Sequence, residues 1–151
     1  MKKYELTDDT ITVGGRILHR IKALKSFSDV EEGDLGGYVE KEDNLDHSGD
    51  AWVSGDAWVY GDARVSGDAR VSGDARVSGE NDYAAAKGFG REYRTTTFFR
   101  LQDGGIGVRC GCFCGTLEEF REKVKETHKE SKMGKEYLML ADLMEYKFKN
   151  A

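Results

Sequence analysis

The sequence has no apolar run of about 18 residues, the length a bilayer-spanning helix requires, and Met1–Thr12 lacks a charged-then-apolar leader. A soluble, cytosolic protein without a membrane partner is expected. Cysteine is scarce, with three in 151 residues, at Cys110, Cys112 and Cys114. That crowding excludes a disulfide framework, which uses even counts at wider spacing, and it fits reducing conditions. Histidine occurs only as His19, His47 and His128, without a His-x4-His pair. A phosphate loop is missing too, because Lys87-Gly88-Phe89-Gly90 lacks the Lys-Ser/Thr of a P-loop and the strand–helix setting of a dinucleotide site. The length suits one compact unit or two small ones.

Basic charge is thin in the middle of the chain. Residues 29–82 carry four Lys+Arg against fifteen Asp+Glu, while residues 1–28 carry six against three and residues 83–151 thirteen against ten. The net charge of −5 therefore conceals an acidic waist between mildly basic ends. Direct nucleic-acid binding by this waist is disfavoured, since affinity for phosphates requires Lys and Arg.

What fills the waist is a period of six. From Gly49 to Ser78 the sequence reads GDAWVS, GDAWVY, GDARVS, GDARVS, GDARVS. Ala51, Ala57, Ala63, Ala69 and Ala75 alternate with Val53, Val59, Val65, Val71 and Val77, so small and aliphatic side chains share one face of a short strand. Gly-Asp between strands is a turn signal. Folding back as a hairpin would set Val59 opposite Arg64 and Trp58 opposite Val65, mixing valine with arginine or tryptophan on each face. A coil that always turns the same way keeps Val and Ala inside, with Ser66 and Ser72 pointing out. Three six-residue sides make a triangular rung of about 18 residues.

The inward Val, the small residue four positions on and the turn between them resemble the hexapeptide-repeat, left-handed parallel β-helix proteins. The wider pattern, with DVEEGDLGGYVEKEDNL, the hexads, TTTFFR, GVRCGCF and GTLEEF, resembles small phage and prophage proteins labelled hexapeptide-repeat or polymer-forming. The resemblance implies a mainly β fold. It covers nearly the whole chain but carries over no catalytic residue. Enzymes of the hexapeptide class include acyltransferases with a histidine base and trimeric zinc carbonic anhydrases with three histidine ligands. Only His47 lies near the coils here, so an enzymatic role is not favoured and no cofactor is implied.

Residues 1–28 read as a β-hairpin cap, with strands at 4–6, 10–13 and Arg16–Leu24 around Gly14-Gly15. Ile17, His19, Ile21 and Ala23 are expected on one face, His19 as a half-buried sheet residue. Residues 29–82 read as the β-helix, entered through an irregular first coil with Val39 and Leu45 inward. Gly37–Ser78 amounts to about 2.3 rungs, roughly 11 Å tall, which calls for caps or self-association. A homo-oligomer is expected, a trimer ahead of a dimer. Residues 83–151 read as a ββαα unit. A helical turn at Asn81–Lys87 and a loop at Gly88–Gly90 lead to a hairpin of Tyr93–Leu101 and Ile106–Phe113, closed at Gln102–Gly105. Thr116 and Glu119 form a capping box before a helix from Leu117 to His128 that buries Leu117, Phe120 and Val124. A second helix from Lys135 to Phe148 buries Tyr137, Leu140, Ala141 and Met144.

Two constellations bear on function. Cys110, Cys112 and Cys114 alternate, as on one strand face continuing Ile106 and Val108. They read as core packing, with a reactive thiol and a zinc site completed by His128 as the alternatives, the zinc at a spacing unusual for a structural site. On the coil exterior, residues 18 apart stack, placing Trp52 over Arg70 and Trp58 over Arg76 in cation–π geometry. The same spacing sets Asp50 on Asp68, Asp56 on Asp74 and Asp62 on Glu80. Stacked like charges repel, so acid on all three edges suggests a surface read by something basic. The leading expectation is a phage-type binding protein whose acidic coil docks a host or phage protein, a host-defence factor among them. The alternatives are a small-molecule or nucleotide sponge, with its pocket between subunits or between coil and ββαα unit, and a diminished hexapeptide acyltransferase.

Overall fold

The computed structural model describes residues 2–149. Strands β1 (Tyr4–Val13) and β2 (Arg16–Ala23) form the expected hairpin on Gly14 and Gly15. Strand β1 is one continuous strand with a bulge between Leu6 and Thr10, where two short strands were expected. The registers on both sides of β2 shift, and its inward face shifts with them. Ile21 and Ala23 are buried as expected, but Leu18 is buried too, while Ile17 is 54 % exposed. His19 is half-buried, its Nδ1 3.0 Å from the Thr7 carbonyl.

Strand β2 pairs antiparallel with β3 (Leu35–Val39), and from there the pairing turns parallel. Strand β3 lies beside β5 (Trp58–Val59), which lies beside β7 (Arg76–Val77). A second parallel ladder joins β4 (Trp52–Val53) to β6 (Arg70–Val71), and a third side is the parallel bridge of Leu45 with Val65. Valine meets valine in each repeat pair, so the hairpin alternative is excluded and the chain forms a solenoid. Trp52 to Arg70 spans the expected 18 residues. The step from Tyr38 to Trp58 takes 20, because two extra residues lie between Leu45 and Val53: Val39 to Leu45 keeps the six-residue spacing of Val59 to Val65, whereas Leu45 to Val53 takes eight where Val65 to Val71 takes six. The Ala and Val columns, with Val39 and Leu45, are buried in one core that also takes in Tyr4, Ile21, Ala23, Trp52 and Phe99. Each buried valine contributes roughly 1.5–3 kcal/mol.

Between coils, the N–H groups of Tyr38, Trp52 and Trp58 donate to the carbonyls of Ala57, Ala69 and Ala75 at 2.9, 3.1 and 2.9 Å. The carbonyls of Ala51 and Ala63 receive no such backbone N–H among the described residues. Two side chains take its place: Lys3 Nζ donates to Ala51 O at 2.6 Å, and Asn44 Nδ2 donates to Ala63 O at 2.8 Å and Gly61 O at 3.2 Å. Both side chains are fully buried. The Tyr4 hydroxyl closes the same end by donating to Leu45 O at 2.6 Å.

At the other end the chain leaves the coil by a 3-10 turn at Glu80–Asp82 and enters β8 (Tyr83–Phe89), so the helical turn expected at Asn81–Lys87 is a strand. The C-terminal unit is ββββαα rather than ββαα. Its antiparallel sheet runs β11 (Phe113–Thr116), β10 (Ile106–Cys110), β9 (Arg94–Arg100), β8. Strand β9 works on both faces, sending Phe99 into the solenoid core and Phe98 into the helical core. It lies on the last coil, where Leu101 bridges Ala75, Gln102 N–H donates to Asp74 O at 2.9 Å, and Arg70 N–H donates to Thr97 Oγ1 at 2.9 Å. Helix α1 (Leu117–His128) starts at the expected capping box, and α2 (Lys132–Lys149) starts three residues before Lys135. Leu117, Phe120 and Val124 are buried with Tyr137, Leu140, Ala141, Met144 and Phe148.

Val65→Asp places an unpaired charge among the valines and is expected to cost several kcal/mol, whereas Arg64→Gln on the neighbouring exposed position leaves the melting curve nearly unchanged. Ser72 differs from the expected outward serine: it is buried, with its Oγ 3.3 Å from Cys114 Sγ, so Ser72→Asp is not silent. Burial also lowers the Lys3 pKa from 10.5 to about 8. The unfolded chain keeps a proton there that the folded chain releases, so stability rises with pH through that window. Between about pH 8 and about pH 9.5 the wild type should gain roughly 1–2 kcal/mol in urea unfolding that Lys3→Met does not show.

Candidate functional site

The repeat turns place Asp50, Asp56, Asp62, Asp68 and Asp74 on the surface, each after a glycine with φ between 62° and 72°. A Cβ on Gly49 would stand 2.5 Å from the Gly67 carbonyl oxygen, so this corner admits only glycine. Gly49 lies against Gly67 and Gly55 against Gly73, which stacks the Asp50/Asp68 and Asp56/Asp74 turns as expected. The third corner slips by one. Gly61 meets Ser78, Asp62 N–H donates to Ser78 O at 3.2 Å, and Glu80 has already entered the 3-10 turn.

Trp58 and Arg76 stack as the spacing requires, with the guanidinium carbon 3.8 Å from the ring centroid. Burial lowers the Arg76 pKa from the ordinary arginine value, and its Nη1 donates to the Asp56 and Ala75 carbonyls at 3.0 and 2.8 Å. Arg20 continues the row over Tyr38 at 4.4 Å and donates to the Tyr38 hydroxyl at 2.7 Å. The other expected pair does not form a surface. Trp52 is 3 % exposed, under Phe27 and Tyr4, with Phe27 edge-on at 5.4 Å, and the Arg70 guanidinium turns away to Asp29. One chain thus covers its own Trp52. Trp52 therefore offers no exposed ring for a second copy to cover.

The cysteines are not on one strand. Gly111, at φ 57°, and Cys112 form a tight turn between β10 and β11, with Cys110 opposite Phe113 and Arg109 opposite Cys114. Cys110 is half-buried beside Thr96 and Tyr137, while Cys112 and Cys114 are exposed. Core packing thus describes Cys110 alone. His128 faces the Tyr137 ring at 5.5 Å, and among the described residues no three His, Cys, Asp or Glu side chains gather as a metal site. His47 is a brace: its ring stacks on Tyr4 at 4.2 Å, Nδ1 accepts from Lys3 N–H at 3.1 Å, and Nε2 lies 2.9 Å from Glu42 Oε1.

The structure also assembles a cleft that the repeat did not announce. About 420 Å³ opens between the coil, which supplies Asp50, Asp68 and Arg70, and the C-terminal sheet, which supplies Lys87, Arg94 and Arg109. The turn after β2 contributes Asp29. Its carboxylate accepts from Arg70 Nη2 through Oδ1 and from Arg109 Nη2 through Oδ2, the latter at 3.3 Å. Burial pushes the Asp29 pKa up, but the hydrogen bond and charge of Arg70 outweigh it and hold the carboxyl below the ordinary value. Asp29 and Arg109 are 80 residues apart, and no local pattern marks either one.

Parallel ladders at 18-residue spacing, with glycine corners and a valine core, define a β-solenoid repeat protein. In agreement, the family model described as YdcK Beta solenoid repeat matches residues 57–71 and 63–79. The likeness covers residues 57–79, most of the repeat, and leaves the first hexad, the cap and the C-terminal unit outside it. No curated protein matches the chain. No helix among the described residues is long and apolar enough to cross a membrane.

The exposures predict an order of thiol reactivity. Under native conditions a maleimide should modify Cys112 and Cys114 first and the half-buried Cys110 more slowly, as read by peptide mass spectrometry. Equal rates at all three would contradict the packing of Cys110.

Proposed function

We propose that the chain is a non-enzymatic binding protein whose acidic coil docks a basic protein partner, in the manner of a phage-type module acting on a host or phage protein. A host-defence factor is one such target. The observation that supports this reading is selective burial. The cap and C-terminal unit cover Trp52 and engage Arg70, yet all five repeat aspartates remain exposed. Asp56 and Asp68 pair only loosely, 3.7 Å from Arg20 and 3.4 Å from Lys87, and Asp50, Asp62 and Asp74 carry no ion pair among the described residues. Carboxylates stacked at a rung spacing of about 4.8 Å repel one another, which a neutral turn residue would avoid. A basic partner relieves that repulsion.

The same reading takes the coil as left-handed and three-sided, as in hexapeptide relatives, within a cytosolic protein that self-associates, as a trimer ahead of a dimer. The acyltransferase alternative gains nothing from His47, whose ring nitrogens are engaged by Lys3 and Glu42.

The test reverses charges that do not line the cleft beside Asp29. Asp56→Lys, Asp62→Lys and Asp74→Lys together should preserve the fold by circular dichroism and abolish capture of a partner from host lysate. Added salt should weaken wild-type capture, because exposed charges are screened over about 8–10 Å near physiological ionic strength. Reversing Lys123 and Lys125 on α1, with Lys129 at its C-cap, should have little effect. The opposite ranking would remove the coil from the binding surface.

A further inference from the structure

The cleft between the solenoid and the C-terminal sheet carries an inference of its own. Arg70 comes from the coil and Arg109 from β10, and their side chains are only 16 % and 20 % exposed. Two guanidiniums withdrawn from water beside one another are costly unless an anion lies between them. That anion is Asp29, and it is the accessible member of the trio, with a side chain 61 % exposed. It sits at the tip of a two-residue turn closed by paired hydrogen bonds between Phe27 and Val30 at 2.9 and 2.8 Å. Ser28, the other tip residue, has φ 49°, in the left-handed region that a residue with a Cβ seldom adopts. The cationic half of the contact is therefore built into the scaffold, and the anionic half is presented on a tight, strained turn.

We infer that the cleft is a binding site for a small phosphate ester, and that Asp29 occupies the place of its phosphate until a ligand displaces it. A phosphate monoester offers the bidentate oxygens that paired guanidiniums match, with more charge than one carboxylate. Lys87 and Arg94 line the same space, and the volume of about 420 Å³ exceeds what one phosphate fills. The side chain of Tyr93, 68 % exposed, stands at the lining as a platform for a planar ring. Asp50 and Asp68 on the coil side repel an extended polyanion. They favour a ligand with one anionic end and hydrogen-bond donors at the other, as in a mononucleotide. Asp50 and Asp68 belong to the acidic coil as well, but Asp56, Asp62 and Asp74, the three reversed in the docking test, do not line this space, so the two readings are tested separately.

Calorimetry on the full chain with inorganic phosphate and with adenosine monophosphate tests the site. The wild type should bind at least one of them, and Asp29→Asn should tighten that binding about tenfold, because the resident competitor loses its charge. A gain of affinity cannot come from misfolding. Arg109→Gln, checked for native circular dichroism, should weaken binding by a similar factor, and Lys123→Gln on α1 should change nothing. Tighter binding of the nucleotide, with the advantage abolished by Tyr93→Ala, identifies a nucleotide ligand, and equal binding confines recognition to the phosphate group and overturns the role of Tyr93 as a platform. If neither probe binds wild type or Asp29→Asn, or if Asp29→Asn and Arg109→Gln leave affinity unchanged, the Arg70–Asp29–Arg109 contact is only a structural clasp and the inference is wrong.

Discussion

Parallel pairing from coil to coil leaves unmatched peptide groups wherever the coil stops, and the chain on either side is arranged to match them. A buried carbonyl without a donor costs about 1–3 kcal/mol, so a stack this short depends on its ends. At the first end the donors are the Lys3 ammonium, the Asn44 carboxamide and the Tyr4 hydroxyl, reaching Ala51, Ala63 and Leu45. At the last end, β9 and the residues after it supply Thr97, Leu101 and Gln102. The buried lysine thereby has a structural reason. It is a long donor placed where a strand is missing, with Phe27 4.9 Å beneath its ammonium.

Charge follows the same architecture. Carboxylates of the cap, the coil and the exit turn meet arginines from neighbouring strands and segments: Asp9 and Asp56 meet Arg20, Asp29 meets Arg70 and Arg109, and Asp82 meets Arg100. Exposed pairs of this kind contribute little individually. The Asp82–Arg100 pair is less exposed on both sides and joins the end of the solenoid to β9. Of the repeat aspartates, Asp56 alone belongs to this set, through Arg20. These aspartates repeat because the hexad repeats, and where no arginine from the cap or sheet comes near, their charge faces solvent.

The solenoid was legible because its information is periodic and local. Alternating Ala and Val, followed by Gly-Asp, specifies an inward face and a corner within six residues, and 18 residues bring Trp58 under Arg76. Helix α1 was legible for the same reason, since Thr116 and Glu119 mark its start three residues apart. The misreadings have a common cause. Cys110, Cys112 and Cys114 alternate like a strand, but Gly111 takes a positive φ and the strand turns between them. Residues 81–87 have helix-compatible alanines, yet β9 offers β8 a free edge, and tertiary pairing overrides propensity. Trp52 and Trp58 occupy equivalent places in the repeat, but only Trp52 meets Phe27 and the cap.

By itself, then, the sequence determined the coil, its inward columns, its acidic corners and the two helices, because each depends on neighbours within one repeat or one turn. Only the tertiary structure decided how the coil is closed, which tryptophan is buried and which charges meet. Lys3 with Ala51, Phe99 with the valine column, and Asp29 with Arg70 and Arg109 are contacts between segments about 40 to 80 residues apart or between separate sheets. No period in the sequence encodes such distances. They are settled by which surfaces remain unsatisfied once the local elements have formed.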